Sequence, residues 1–73
     1  MNHQDINNLR QDLIGELEAI NQYREHLDAT DNEEIKHVLS HIILDEKEHV
    51  AELTKIIRQI DSEQDEKFRK EEL

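Results

Sequence analysis

Apolar residues recur along this chain at the period of helices that pack against neighbours. The first stripe runs through Ile6, Leu9, Leu13, Glu16, Ile20, Tyr23 and Leu27, at alternating spacings of 3 and 4, with one carboxylate set into it. A second runs through Ile35, Leu39, Ile42, Glu46, His49, Leu53, Ile56 and Ile60, and Ile43, Val50 and Ile57 widen it. Between them lies LDATDN, residues 27–32, where Thr30, Asp31 and Asn32 are all good N-caps. Thr30 with Glu33, or Asp31 with Glu34, has the spacing of a capping box. The chain has no proline and one glycine, so helix is favoured nearly throughout. The pattern predicts an all-α, antiparallel two-helix hairpin in one domain over residues 1–73, with helix 1 over about 5–28 and helix 2 over about 32–61. After Ile60 the period dissolves into DSEQDEKFRKEEL. That charged tail, about 62–73, continues the helix, frays, or docks Phe68 on a neighbour.

The polar members of the stripes raise the chemical question. A buried carboxylate without a partner costs several kcal/mol, so it must be paired, coordinate a metal, or become neutral. Glu-x-x-His by itself is weak, since a chain with 12 Glu and 5 His carries about one such pair by chance. Two are present. Glu34 and His37 both lie off the stripe, whereas Glu46 and His49 both lie on it. In an antiparallel hairpin turning near residue 30, Glu16 stands about 14 residues before the turn and Glu46 about 16 after it, at similar height for a rise of about 1.5 Å per residue. Glu16, Glu46 and His49 therefore converge on one layer.

Composition turns this layer into half of a site. A chain of 73 residues, 34% hydrophobic, buries little core alone, so association is expected. Four-helix di-iron bundles take a Glu from each of two helices and Glu-x-x-His from each of the other two, the set that two copies of this hairpin supply. Nineteen acidic against nine basic residues give a net charge of -10, which repels nucleic acid and anionic membranes and attracts cations. With no cysteine, thiolate zinc sites and iron–sulfur clusters are excluded, and any metal is held by oxygen and imidazole nitrogen. Iron is the first choice for such a shell; manganese and zinc are substitutes of the same ligand class. The longest unbroken apolar run, Ile42-Ile43-Leu44, spans no bilayer and no secretory segment stands at the start, so a cytoplasmic protein is expected.

Other positions carry weaker signals. Tyr23, two turns beyond Glu16 on the same face, either hydrogen-bonds a ligating carboxylate or is an ordinary core aromatic with its hydroxyl at the rim. His41, Asp45, Glu48 and Glu52 form a stripe on the other side of helix 2, read as a solvated acidic face or a weak cation-collecting site. His37, His3 and His26 read as surface residues. Ile14 and Leu44 point away from the stripes, one on each helix, and mark a second protein contact.

The stretch ELEAINQY, residues 16–23, followed by His41 and by DEKEH, residues 45–49, resembles the encapsulated ferritins, two-helix members of the ferritin-like superfamily. The resemblance covers roughly residues 9–60. It implies that paired hairpins form a ferritin-like four-helix unit with a di-iron ferroxidase centre on the two-fold axis, and that five pairs close an annular decamer. It also implies Glu16, Glu46 and His49 as metal ligands from two chains, Tyr23 beside them, and an outer site for incoming iron at His41, Asp45 and Glu48, with Glu18 in an attraction site. An encapsulin shell protein is the implied partner and its nanocompartment the implied location. The chain departs from the family at Gln22, where tryptophan can stand before the tyrosine, and at Gly15, where an acid can precede the first ligand. Its last residues, SEQDEKFRKEEL, are unlike the short apolar targeting peptide that ends cargo proteins of this type.

The resulting expectation is a ferroxidase: two Fe(II) ions bound between chains, Glu46 of each bridging them and Glu16 and His49 capping each ion, with oxygen or peroxide as electron acceptor. It serves iron storage or detoxification, since a ring of small hairpins encloses no mineral core without a shell. One rival is a rubrerythrin-like di-iron peroxidase or oxygen scavenger, against which the lack of a cysteine-held electron relay argues. The other is a metal-free helical interaction module whose polar layer only fixes register.

Overall fold

The computed structural model describes residues 3–73 and is all-helical over them, with α1 (His3–Ala29), α2 (Glu33–Ile60) and α3 (Ser62–Lys70). α1 and α2 lie antiparallel, as the pairing of Arg10 with Asp61 and of Glu16 with His49 shows. The connection is residues 30–32. Of the three candidate caps there, Asn32 is the one used: its Oδ1 accepts from the Ile35 amide at 3.0 Å, while Thr30 Oγ1 accepts from the Asn32 amide at 3.2 Å. The N3 position is therefore Ile35, so neither Thr30 with Glu33 nor Asp31 with Glu34 closes a capping box. Glu33 and Glu34 instead sit in the first turn, where the helix dipole favours them.

α2 stops at Asp61, whose backbone is extended (φ -117°, ψ 92°) while its amide still donates to Ile57 O at 2.8 Å. Its carboxylate then caps α3 by accepting from the Gln64 amide at 3.1 Å, and also pairs with Arg10 of α1. The tail is thus a separate short helix held by its own chain. Arg58 donates to Asp65 at 2.7 Å and its guanidinium lies 4.8 Å from the Phe68 ring centre, a cation–π contact. Phe68 lines an open apolar groove with Leu13, Ile14 and Leu17 of α1 and Ile57 of α2, where Ile14 and Leu17 stay 46% and 47% exposed. The last turn ends in a Schellman motif around Glu72 (φ 62°), with Leu73 N–H donating to Phe68 O at 2.9 Å and Glu72 N–H to Arg69 O at 3.0 Å.

The hairpin is a slab rather than a globule. Its radius of gyration is 15.3 Å and its extents 45 × 27 × 14 Å, where a compact chain of this length has a radius of about 11 Å. Among the described residues only Ile43 and Ile57 are buried, at 2% and 4% exposure. With half-buried Val50 between them they form a line at seven-residue spacing that faces α1. Ile42, His49 and Ile56 each precede a member of that line by one residue and so stand about 100° around the helix from it. The broad stripe on α2 thus divides: one edge packs against α1, and the other carries Ile35 and Val38 at 46% and 55% exposure with Ile42 and Ile56 half-buried. Leu44 on the opposite side is 63% exposed. Among the described residues, no helix is long and apolar enough to cross a membrane.

Candidate metal centre

The middle of the slab brings together the three polar stripe residues. α1 supplies Glu16 and α2 supplies Glu46 and His49 one turn apart, and one ligand atom of each lies within 4.8 Å of the others. His49 turns Nδ1 inward, 3.4 Å from Glu16 Oε2 and 3.7 Å from Glu46 Oε2. The first contact is a long hydrogen bond and the second is beyond hydrogen-bond range. The Glu16 and Glu46 side chains are 25% and 19% exposed, and His49 is open at 48%. Among the described residues these two half-buried carboxylates share one imidazole and no other polar partner.

The cleft that holds them is also lined by Asp12 of α1 and Glu52 of α2, and no lysine or arginine lines it. Four carboxylates in one concavity make a local field that favours a divalent cation, and the mixed oxygen and imidazole donors suit iron, manganese or zinc. Sequence patterning alone assigned Glu52 to the outer stripe and gave Asp12 no role. Their convergence depends on the crossing of two helices, although Glu52 at three residues beyond His49 and Asp12 at four before Glu16 have the helical spacing that signals it. Gly15 opens onto the same cleft, and a Cβ added there meets nothing within 4 Å.

The remaining candidates stand apart from this group. Tyr23 is half-buried but does not line the cleft, being two turns along α1 from Glu16. His41, Asp45, Glu48 and Glu18 are all exposed, and among the described residues Glu16, Glu46 and His49 form the one group of three or more such side chains able to meet on an ion. Ile14 lines the same groove as Phe68 and stays 46% exposed, as Leu44 does at 63%.

Comparison with known proteins fits this arrangement. The chain is 45% identical over 56 residues to the encapsulin nanocompartment cargo protein EncC of Myxococcus xanthus (strain DK1622), a match covering 77% of this chain and 43% of that protein. It is 38% identical over 66 residues to the encapsulin nanocompartment cargo protein EncB of the same organism, covering 90% of this chain and 42% of that protein. The chain therefore spans less than half the length of either relative. No solved structure matches it. The EncFtn-like family model matches residues 1–72, nearly the whole chain. With the Glu, Tyr and Glu-x-x-His pattern in place and that match end to end, the chain belongs to the EncFtn-like family, the encapsulated ferritin-like proteins.

Proposed function

We propose that this chain is a ferroxidase whose di-iron centre is completed by a second copy of itself. The observation that supports this most directly is the meeting of Glu16, Glu46 and His49 within 4.8 Å in a cleft beside an unpartnered apolar face. One chain gives three donors, too few to enclose two ions. A second hairpin laid on the Ile35, Val38, Ile42 and Ile56 face doubles the set to four carboxylates and two imidazoles, covers exposed Ile35 and Val38 and half-buried Ile42 and Ile56, and makes a four-helix bundle. Further association of these pairs into an annular decamer is the assembly that the family resemblance supports.

Fe(II) is the substrate: two ions held by this set each give up one electron to oxygen or peroxide and leave as Fe(III). The protein's part is positional and electrostatic. Glu16, Glu46 and His49 hold the ions, and Asp12 and Glu52 draw cations into the cleft. His41, Asp45, Glu48 and Glu18 collect Fe(II) at the outer surface. The shell partner is an encapsulin and the location its nanocompartment, a reading supported by the names of both Myxococcus relatives. Iron storage or detoxification follows, because the shell supplies the enclosed volume that a slab of this size lacks.

The test is an anaerobic Fe(II) titration of the purified protein read by native mass spectrometry or sedimentation, followed by admission of air, with Glu46→Ala and His49→Ala alongside. One Fe per chain and two per dimer, lost in both variants and oxidised rapidly in air, is the expected result. Absence of binding together with an unchanged oligomer in the variants would leave a helical interaction module.

A further inference from the structure

His37 has been given no role so far, and the structure sets it one turn before His41 on the outer side of α2. Their rings are in contact, with centres 4.5 Å apart and planes at 70°. Both residues are exposed, and Glu33, Lys36 and Ser40 line the same shallow cleft with them, Glu33 ion-paired to Lys36 at 3.7 Å. The spacing of four residues is what brings two imidazoles to one face of a helix. With metal–nitrogen bonds of about 2.0 Å, an ion lies about 3.2 Å from each ring centre, and a right-angled pair of bonds holds the two centres about 4.5 Å apart. The rings are thus close enough for one ion to bridge them once a nitrogen of each turns to it.

We propose that His37 and His41 form a two-nitrogen chelate for a divalent transition ion of the imidazole-preferring class, zinc, nickel or copper ahead of iron. Two neutral nitrogens on adjacent turns rank ions by the ordinary stability order, in which iron(II) stands below nickel, copper and zinc. Water fills the remaining positions. The net charge of -10 adds attraction for any such cation. The pair differs from the outer set of His41, Asp45 and Glu48 in its second nitrogen, which selects a different ion. His37 stands about 180° around α2 from Glu46, and the pair loads whether or not the central cleft binds iron.

Zinc alone is the probe, titrated calorimetrically into untagged full-length protein that carries Glu46→Ala and His49→Ala, which removes the central donors. One zinc per chain is expected. His37→Gln and His41→Gln should each weaken it at least tenfold, and zinc should raise the unfolding temperature of the parent but not of His37→Gln, because the chelate clamps one helical turn. Both residues are exposed, so neither change disturbs the fold. Three results would overturn the proposal: no zinc binding in the parent, an affinity unchanged by His37→Gln, or binding lost only with Asp45→Asn or Glu48→Gln, which assigns zinc to the acidic outer set.

Discussion

Glu46 occupies a position that a leucine would fill more cheaply. It shares a cleft with Glu16, Asp12 and Glu52, and the one basic group near it is the His49 imidazole. Such a cluster costs the metal-free chain stability, and at the proposed metal site a bound cation would relieve it. Glu46→Leu is therefore expected to raise the stability of the metal-free protein by about 1 kcal/mol, through lost carboxylate repulsion and added apolar cover. In the same variant the stabilisation by divalent metal disappears, where the natural sequence gains about 2.7 kcal/mol at a hundredfold excess over Kd. Thermal unfolding with chelator and then with metal reads both effects. A destabilised chelated variant, or one still stabilised by metal, would show that Glu46 is structural.

At the scale of elements, Asp61 joins all three helices. It ends α2, caps α3 at 3.1 Å and pairs with Arg10 of α1, and its side chain is only 14% exposed. Asp61→Ala should destabilise the chain by about 1–2 kcal/mol in chemical denaturation, with amide exchange rising first in α3. Asp61→Asn keeps the cap and loses the charge, so it should recover most of that loss; equal damage from both would make the Arg10 pair the larger contribution. The two long helices were legible because their apolar periods are unbroken and their turn is rich in capping residues. The third was not, although Asp61-Ser-Glu-Gln64 has the form of a cap followed by its acceptor's partner, because a nine-residue helix with one aromatic shows no apolar stripe. The division of the α2 stripe was hidden for a different reason: two contact surfaces 100° apart read as one wide face until α1 is placed on one of them. At the site, Glu16, Glu46 and His49 stood out as polar residues in apolar positions, whereas Asp12 and Glu52 lie off the stripes and needed the helix crossing to be seen beside them.

For the whole molecule the decisive quantity is how little it buries. Two buried side chains among the described residues and a surface of 5753 Å², against about 4,700 Å² for a compact chain of this mass, make a small core. The excess surface includes the open edge of α2, so stability should come with association and the unfolding midpoint should rise with protein concentration. Ile56→Glu places a charge on that edge without touching any of the three metal donors. It should lower the midpoint, remove its concentration dependence and abolish Fe(II) binding at concentrations where the natural sequence is saturated. Leu44→Glu is the control, since Leu44 is 63% exposed on the other side of α2; it should leave both dimer and Fe(II) stoichiometry intact. Sedimentation and unfolding at several concentrations distinguish the outcomes. Should Ile56→Glu still bind one Fe per chain, the central site is complete in a single hairpin. If both variants disrupt the dimer equally, the second copy does not sit on the Ile42 and Ile56 edge, and the geometric link between assembly and metal binding fails with it.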